Sequence, residues 1–138
     1  MACERRDDAP SGTTSDSYLI SVSVSDDDTG TVASSVTTTV QNVAPKLLSL
    51  VSSATMQSIG LAGQAISISG QFSDVGRLDT YQVTVNWGDG SPDEVTPVLS
   101  ANGVGVLQLT HIYQTGGIFK IGVTLADDDG GTVSETTS

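Results

Sequence analysis

Hydrophobic and polar residues alternate along several short stretches of the chain. The clearest stretch is residues 81–87, where Tyr, Val, Val and Trp alternate with Gln, Thr and Asn. In a second stretch, residues 119–125, Phe, Ile, Val and Leu alternate with Lys, Gly and Thr. A period of two places the hydrophobic side chains of a strand on one face, so both stretches predict half-buried β-strands.

Turn residues follow both predicted strands. The first strand is followed by Gly88, Asp89 and Gly90, and the second by three aspartates and two glycines at residues 127–131. Glycine tolerates positive φ and aspartate can hydrogen-bond the backbone two residues on, so both segments predict turns. The second turn is predicted to close a tight hairpin.

Further short strands are predicted around these two. Their ranges are 47–51, 65–72, 94–99 and 103–110. Pro92 and Pro97 favour a sheet edge for the strand at 94–99, because proline has no N–H to donate to a neighbouring strand. About seven short strands, with no convincing helical periodicity, predict an all-β fold of the immunoglobulin-like β-sandwich type.

The strands and turns carry motifs that resemble the polycystic kidney disease (PKD) domain. The matching residues are Trp87, Gly88, Asp89, Gly90, His111, Tyr113, Gly117, Phe119, Ile121, Val123, Asp127, Asp128, Asp129 and Gly130. Residues 72–76 and 79–81, which lead into the first strand, are also similar to the family. The resemblance covers roughly residues 46–138 and implies a PKD-like β-sandwich of an extracellular or cell-surface protein. It implies binding or structural work rather than catalysis, and fold alone does not fix function.

The N-terminal part of the chain repeats the second predicted hairpin. The sequence YLISVSVSDDDTGTV at residues 18–32 matches FKIGVTLADDDGGTV at residues 119–133 position by position. The offset between Asp26 and Asp127 is 127 − 26 = 101 residues, and an internal repeat of that length predicts tandem domains. Residues 33–43 are then predicted to form the final strand of the earlier repeat.

The repeat divides the chain into three predicted parts. These are a disordered tail at 1–16, the last hairpin of a preceding PKD-like repeat with its linker at 17–44, and a PKD-like sandwich at 45–138. Adding the offset to Val43 gives 144, so a complete second repeat is expected to run 144 − 138 = 6 residues beyond Ser138. An isolated hairpin is marginal in water, so residues 17–43 need a surface that completes them. Upstream sequence, a neighbouring copy of the chain and the second domain are the three candidates.

The chain is strongly acidic, which narrows the class of partners. Its formal net charge is −11, with 16 acidic residues against 5 basic ones. This balance excludes nucleic acid as an expected partner, because phosphates need Lys and Arg to displace counterions.

No apolar stretch is long enough to span a bilayer, so no transmembrane segment is predicted. The single cysteine, Cys3, cannot form an intramolecular disulfide and excludes a zinc or redox site.

Five aspartates are predicted to converge at one pole of the sandwich. They are Asp74, Asp79, Asp127, Asp128 and Asp129. In an immunoglobulin-like fold the loop before the third strand and the last hairpin share a pole, and Asn42 of the linker should lie close to it. Calcium prefers such hard oxygen ligands, so a calcium site at the repeat junction is one interpretation, and an ordinary solvated turn is the other. The equivalent half-site of the earlier repeat would be Asp26, Asp27 and Asp28.

A second group of residues is predicted to meet at the opposite pole, and its expected role is structural. It consists of Trp87, Asp89, His111 and Tyr113. Trp87 would fill the core, Asp89 would cap the glycine turn, and Tyr113 would hydrogen-bond to nearby backbone as in a tyrosine corner. A nucleophilic triad of Ser91, His111 and Asp89 is the catalytic alternative. It is disfavoured because no nucleophile elbow or oxyanion-hole motif accompanies it, so no enzyme is predicted.

Two functions follow from these predictions. The first is a structural or adhesive module of a repetitive secreted or cell-surface protein, which assembles head-to-tail into a fibre with other copies or adjacent repeats by β-strand complementation. Calcium would stiffen the repeat junction. The alternative is a ligand- or polysaccharide-binding accessory domain of a secreted hydrolase. An aromatic content of only 4% disfavours that alternative, because sugar-binding platforms need exposed aromatic rings.

Overall fold

A computed structural model describes residues 12–54 and 62–138, and these residues form ten β-strands and no helix. The strands are β1 Ser15–Ser25, β2 Thr31–Gln41, β3 Lys46–Ser52, β4 Ala65–Ser73, β5 Tyr81–Asn86, β6 Glu94–Val98, β7 Ser100–Ala101, β8 Val104–Ile112, β9 Ile121–Asp127 and β10 Thr132–Thr137. Residues 1–11 of the predicted tail at 1–16, which include Cys3, lie outside the described residues. Its last two residues, Ser15 and Asp16, begin β1. None of the described segments is a helix able to cross a membrane.

Strands β3 to β10 form two antiparallel four-stranded sheets, in the orders β10-β9-β5-β6 and β3-β4-β8-β7. The inner faces of the two sheets pack together as a β-sandwich, so the predicted fold class is confirmed. Strand β6 lies at the edge of its sheet and carries Pro97, whose missing N–H is harmless there.

The core follows from the alternation in the sequence. One sheet contributes Tyr81, Val83, Val85, Ile121, Val123 and Leu125, and the other contributes Ile66, Ile68, Phe72, Leu107 and Leu109. All of these side chains are at most 7% exposed. Burying one such side chain stabilises the fold by about 1.5–3 kcal/mol, so this face of each strand determines its register and its orientation.

The structure contains eight strands in the sandwich, whereas the sequence predicted about seven. The additional strand is β7, whose two residues are too few to show alternation; it pairs with β8 across a turn at Asn102 and Gly103. The strand predicted to start at Phe119 begins at Ile121 instead. Phe119 stacks on the ring of Tyr113, with a centroid separation of 4.2 Å, before β9 begins.

Strands β1 and β2 form a separate two-stranded sheet, which we call the ribbon. They pair in continuous register from Ser15 opposite Gln41 to Ser25 opposite Thr31. Most of their side chains are exposed. Residues 42–45 connect the ribbon to β3, and Pro45 of this connection is buried.

Candidate metal site

Two loops of the sandwich bring the acidic residues together. Asp74 and Asp79 lie in the loop between β4 and β5, and Asp127 is the last residue of β9. Strands β5 and β9 are antiparallel neighbours, with Tyr81 opposite Asp127. The loop that enters β5 therefore lies beside the turn that leaves β9, and sheet pairing places these carboxylates at one pole. We call Asp74, Asp79, Asp127, Asp128 and Asp129 the acidic pole.

The acidic pole contains two groups of three carboxylates. One group is Asp74, Asp79 and Asp127, and the other is Asp79, Asp128 and Asp129. In each group one oxygen from every carboxylate lies within 4.8 Å of the other two. Asp79, Asp127 and Asp129 are buried, at 6%, 8% and 2% exposure. Oxygens at this spacing can reach a single cation with calcium–oxygen distances of about 2.3–2.6 Å.

Backbone amides hold two of these carboxylates in place. Asp74 Oδ1 accepts hydrogen bonds from the amides of Val75, at 2.6 Å, and Gly76, at 3.2 Å. Asp127 Oδ1 accepts from the amides of Asp129, at 3.1 Å, and Gly131, at 2.6 Å. Each carboxylate thus uses one oxygen to fix its loop. The second oxygen of Asp74, Oδ2, is buried and accepts no hydrogen bond from the described residues.

The linker after the ribbon also reaches the acidic pole. Asn42 Nδ2 donates a hydrogen bond to Asp127 Oδ2 at 3.0 Å, and Asn42 Oδ1 is buried without a hydrogen-bond partner in the described part of the chain. The backbones approach closely here as well, because a Cβ on Gly131 would lie 2.7 Å from Cα of Ala44. The linker is therefore held against the turn after β9 by a side-chain hydrogen bond and by close backbone packing.

The electrostatics around Asp74 oppose its ionisation. Burial, and to a smaller extent the charge of Asp127, raises the pKa of Asp74 above its ordinary value. Burial also raises the pKa of Tyr81, whose hydroxyl donates to the Gly76 carbonyl at 3.0 Å, and the charges of Asp74 and Asp79 add to that effect. A cation would reverse this balance, because it favours the ionised form of every neighbouring carboxylate.

The donor set fits calcium better than a transition metal. Its side chains are carboxylates, with the amide of Asn42 beside them, and no histidine or cysteine belongs to either group of described residues. Hard oxygen ligands of this kind are the usual ligands of calcium, whereas zinc prefers nitrogen and sulfur. The sequence located the five aspartates, but two contacts were not foreseen. The Tyr81 hydroxyl reaches this loop, and the amide of Thr80 donates to Asp128 Oδ1 at 2.9 Å.

The aspartates at the ribbon tip lie apart from the acidic pole. Asp26, Asp27 and Asp28 are exposed and belong to neither group of carboxylates found in the described residues. Asp26 Oδ1 accepts hydrogen bonds from the amides of Asp28 and Gly30, so it stabilises its own turn. The structure therefore places these three residues in a turn, and no carboxylate from a second loop joins them among residues 12–54 and 62–138.

The group predicted at the opposite pole forms an aromatic and hydrogen-bonded cluster. Trp87 is 1% exposed, and the hydroxyl of Tyr113 donates to the Trp87 carbonyl at 2.9 Å. The imidazole of His111 stacks on the indole of Trp87, with a centroid separation of 4.9 Å. His111 Nε2 lies 2.8 Å from Asp89 Oδ2. These contacts join the end of β5 to the end of β8.

The order of the polar groups at this pole differs from that of a catalytic triad. Ser91 Oγ donates to Asp89 Oδ1 at 2.6 Å, so the carboxylate lies between the hydroxyl and the imidazole. In a triad the imidazole occupies the middle position and accepts the hydroxyl proton. The hydrogen bonds from Ser91 and His111 hold the pKa of Asp89 well below its usual range, which makes this carboxylate a poor base. Asp89 thus acts as an acceptor that ties the turn to β8.

The fold and the motifs define an immunoglobulin-like sandwich module. The sequence model of the PKD domain family matches residues 50–138, which is more than half of the chain. The chain belongs to the PKD domain family, as its motifs predicted. PKD domains occur in extracellular proteins and are generally non-catalytic modules. Comparison with curated proteins and with solved structures gives no significant match.

Proposed function

We propose that this chain is a non-catalytic structural and adhesive module of a repetitive secreted or cell-surface protein, and that calcium at the acidic pole stiffens the joint between successive modules. One observation carries this proposal: carboxylates from two loops converge where Asn42 of the preceding segment donates to Asp127. Asp74, Asp79 and Asp127 would hold the ion at one position, and Asp79, Asp128 and Asp129 at an adjacent one.

The physical role of the ion would be to offset charge repulsion at the joint. When bound, calcium supplies positive charge beside the carboxylates, including Asp74, whose ionised form is disfavoured by burial. The loop at 74–80, the turn at 127–131 and the linker at residues 42–45 meet at this point. An ion shared by the two loops would hold Asp127 in the position where it accepts the hydrogen bond from Asn42. The angle between ribbon and sandwich would then vary less.

The proposed assembly is head-to-tail, with the ribbon of one module completed by another module. Strand β1 pairs only with β2 in the described part of the chain, so its other edge is open to strand addition. Head-to-tail contacts between unlike surfaces of successive modules do not close on themselves and generate open filaments. The distribution of aromatic rings agrees with a structural role. All six lie in the described residues: four are buried, Phe119 is partly buried, and Tyr18 is exposed.

Calcium binding is tested by titration calorimetry and by thermal unfolding of the full chain in chelator and in calcium. Extracellular calcium modules bind with dissociation constants of about 10⁻⁴–10⁻³ M. A concentration about 30-fold above the dissociation constant stabilises the folded state by about 2 kcal/mol. We therefore expect the Tm to rise by on the order of 10 °C in 10 mM calcium.

Asp79→Asn is the variant of choice, because Asp79 belongs to both groups of carboxylates. It should abolish both the heat of binding and the rise in Tm. The matched control is Glu135→Gln, which removes one negative charge from an exposed position of β10 and should keep the full calcium response. Equal calcium responses in the two variants, or no response in the unmodified chain, would contradict a calcium site at the acidic pole.

A further inference from the structure

The ribbon carries one apolar face that no described strand covers. Register places Ile20 opposite Val36 and Val24 opposite Val32, so these side chains lie on one face together with Val22. Their exposed fractions lie between 51% and 68%. The opposite face consists mainly of serine and threonine. A strand pair with one apolar face is the pattern of a sheet that packs against a second sheet.

The ribbon matches the β9–β10 hairpin in geometry as well as in sequence. Asp26 Oδ1 accepts from the amides of Asp28, at 3.1 Å, and Gly30, at 2.6 Å. Asp127 Oδ1 accepts from the amides two and four residues after it at the same two distances. In both turns the amide of the first aspartate donates to the glycine carbonyl four residues on, at 2.9 Å and 3.0 Å. The two hairpins therefore share one fold.

The β9–β10 hairpin shows how such an apolar face is covered. Ile121, Val123 and Leu125, which correspond to Ile20, Val22 and Val24, are at most 2% exposed. They pack against the sheet of β3, β4 and β8, and the edge of β9 that faces away from β10 pairs with β5. In the ribbon both of these partners are missing from the described residues. The ribbon therefore needs an apolar sheet to cover its face and a strand to pair with its open edge.

We propose that the ribbon is a donor hairpin, which closes a PKD-like sandwich on another polypeptide. The partner is defined by its chemistry: an apolar inner sheet face, and a free edge of a β5-type strand, in a module without its own closing hairpin. This inference rests on the proposed function, in which the ribbon is completed by another module, and it specifies which surface of that module the ribbon fills.

The sequence before the ribbon favours another polypeptide as the source. In the sandwich, residues 102–118 contain β8 and the His-x-Tyr motif, and they lead directly into the closing hairpin. The equivalent residues 1–17, reading MACERRDDAPSGTTSDS, contain neither an alternating strand nor that motif. A β8-type strand, which belongs to the sheet that faces the closing hairpin, is thus not encoded directly before the ribbon.

The size of the face disfavours a dimer of two ribbons as the alternative. Eleven residues at about 3.4 Å each, across two strands about 4.8 Å apart, give a face of roughly 350 Å². Two such faces bury roughly 700 Å² in total, which is less than the ~1,200 Å² of a stable interface. A sandwich partner adds a paired strand edge to the buried face, as β5 does for β9.

The first test measures hydrogen exchange of the ribbon in the unmodified chain, in chelator. A hairpin without its partner should exchange its β1 amides at nearly unprotected rates, while β9 amides are strongly protected. Sedimentation should show a monomer, because each copy of this chain already fills its own β5 edge with β9 and head-to-tail assembly needs a module that lacks this hairpin. Protection of β1 equal to that of β9 in the monomer would overturn the proposal, because the ribbon would then need no partner. A dimer in which β1 gains protection while β9 loses it would replace the proposal by exchange between copies.

The second test supplies the partner strands by fusion. In the chimera, residues 45–118 precede residues 18–138, so that β3 to β8 meet the ribbon at the position of their own closing hairpin. We expect exchange of the β1 amides to slow by about 100-fold or more. Ile20→Asp with Val22→Asp in this chimera should abolish the protection and leave the 45–138 sandwich folded. The control fusion joins residues 45–137 to residues 37–138. Its first module therefore keeps the native β9–β10 hairpin in place of the ribbon.

The chimera separates this proposal from the proposed calcium site. A folded control with an unprotected ribbon in the chimera would overturn the donor-hairpin proposal, whatever calcium does. Protection in chelator without any calcium response would leave the donor hairpin in place and remove the calcium site. If neither fusion folds, hydrogen exchange of the unmodified chain still decides the matter.

Discussion

Asp74 illustrates how a single residue can make the fold depend on pH. Its Oδ1 caps the loop, its Oδ2 is buried, and burial together with the charge of Asp127 raises its pKa in the folded chain above the ordinary value of 3.8. Between 3.8 and that raised value the native state binds more protons than the unfolded state. Stability in chelator should therefore increase as pH falls from 7 through the raised pKa, and decrease again as pH rises.

Asp74→Asn tests this dependence, since the amide oxygen can still accept from the amides of Val75 and Gly76. The variant should raise the Tm in chelator at pH 7 and flatten the dependence between pH 4 and pH 7. The control Asp27→Asn, at the exposed ribbon tip, should leave both unchanged. In the presence of calcium the pH dependence should have the opposite sign: stability should fall as pH falls, because protonation of the carboxylates releases the ion. A Tm in chelator that falls steadily from pH 7 to pH 5 would contradict this assignment.

The turn after β5 depends on one glycine more than on the other. Gly88 and Gly90 both have positive φ, at 77° and 83°. A Cβ on Gly88 would collide with the carbonyl oxygen of Lys120, whereas a Cβ on Gly90 would meet no atom within 4 Å. The first glycine is therefore required for conformation and for the close approach of the segment before β9. The second is required for conformation alone.

Gly88→Ala should destabilise the sandwich by about 3 kcal/mol or more, and Gly90→Ala by about 1 kcal/mol. Urea unfolding followed by the fluorescence of Trp87 measures both, since this single tryptophan is 1% exposed in the core. The two substitutions impose the same φ penalty, so their difference reports the collision with Lys120. Equal losses of unfolding free energy in the two variants would mean that the segment before β9 moves aside without cost.

The strands of the sandwich could be predicted from sequence where alternation was long enough. Strands β5 and β9 show three or more alternating hydrophobic residues followed by glycine and aspartate, and both lie within two residues of their predicted ranges. Strand β7 has two residues and no period, so only its pairing with β8 reveals it. Phe119 fits the alternation of β9, but stacking on Tyr113 takes it out of the strand.

The acidic pole could be predicted in its location but not in its internal bonding. Immunoglobulin-like topology places the loop before β5 beside the turn after β9, so the sequence positions of Asp74, Asp79 and Asp127 were sufficient to bring them together. The oxygen that each carboxylate commits to backbone amides depends on loop geometry that no periodic pattern encodes. The hydrogen bond from the Tyr81 hydroxyl to the Gly76 carbonyl could not be predicted either, because alternation specifies only that this ring points inward.

At the scale of the whole molecule, one sequence pattern has two structural outcomes. Val22 and Val123 occupy equivalent positions of the two hairpins, yet Val22 is 59% exposed and Val123 is 1% exposed. The difference comes from the surroundings, since only the β9–β10 hairpin has a facing sheet and a neighbouring strand among the described residues. Local sequence therefore determines the hairpin, and the rest of the sandwich determines whether its face becomes a core.

Aspartate at these two positions separates the outcomes in the unmodified chain. Val123→Asp places an unpaired carboxylate in the core and should cost more than about 4 kcal/mol, enough to unfold a module of this size. Val22→Asp should change the stability of the sandwich by less than about 0.5 kcal/mol, because its site is exposed in the absence of a partner. The Trp87 fluorescence transition measures both. A large loss from Val22→Asp would show that the ribbon face packs on its own sandwich, and the ribbon would then have no face left to offer another polypeptide.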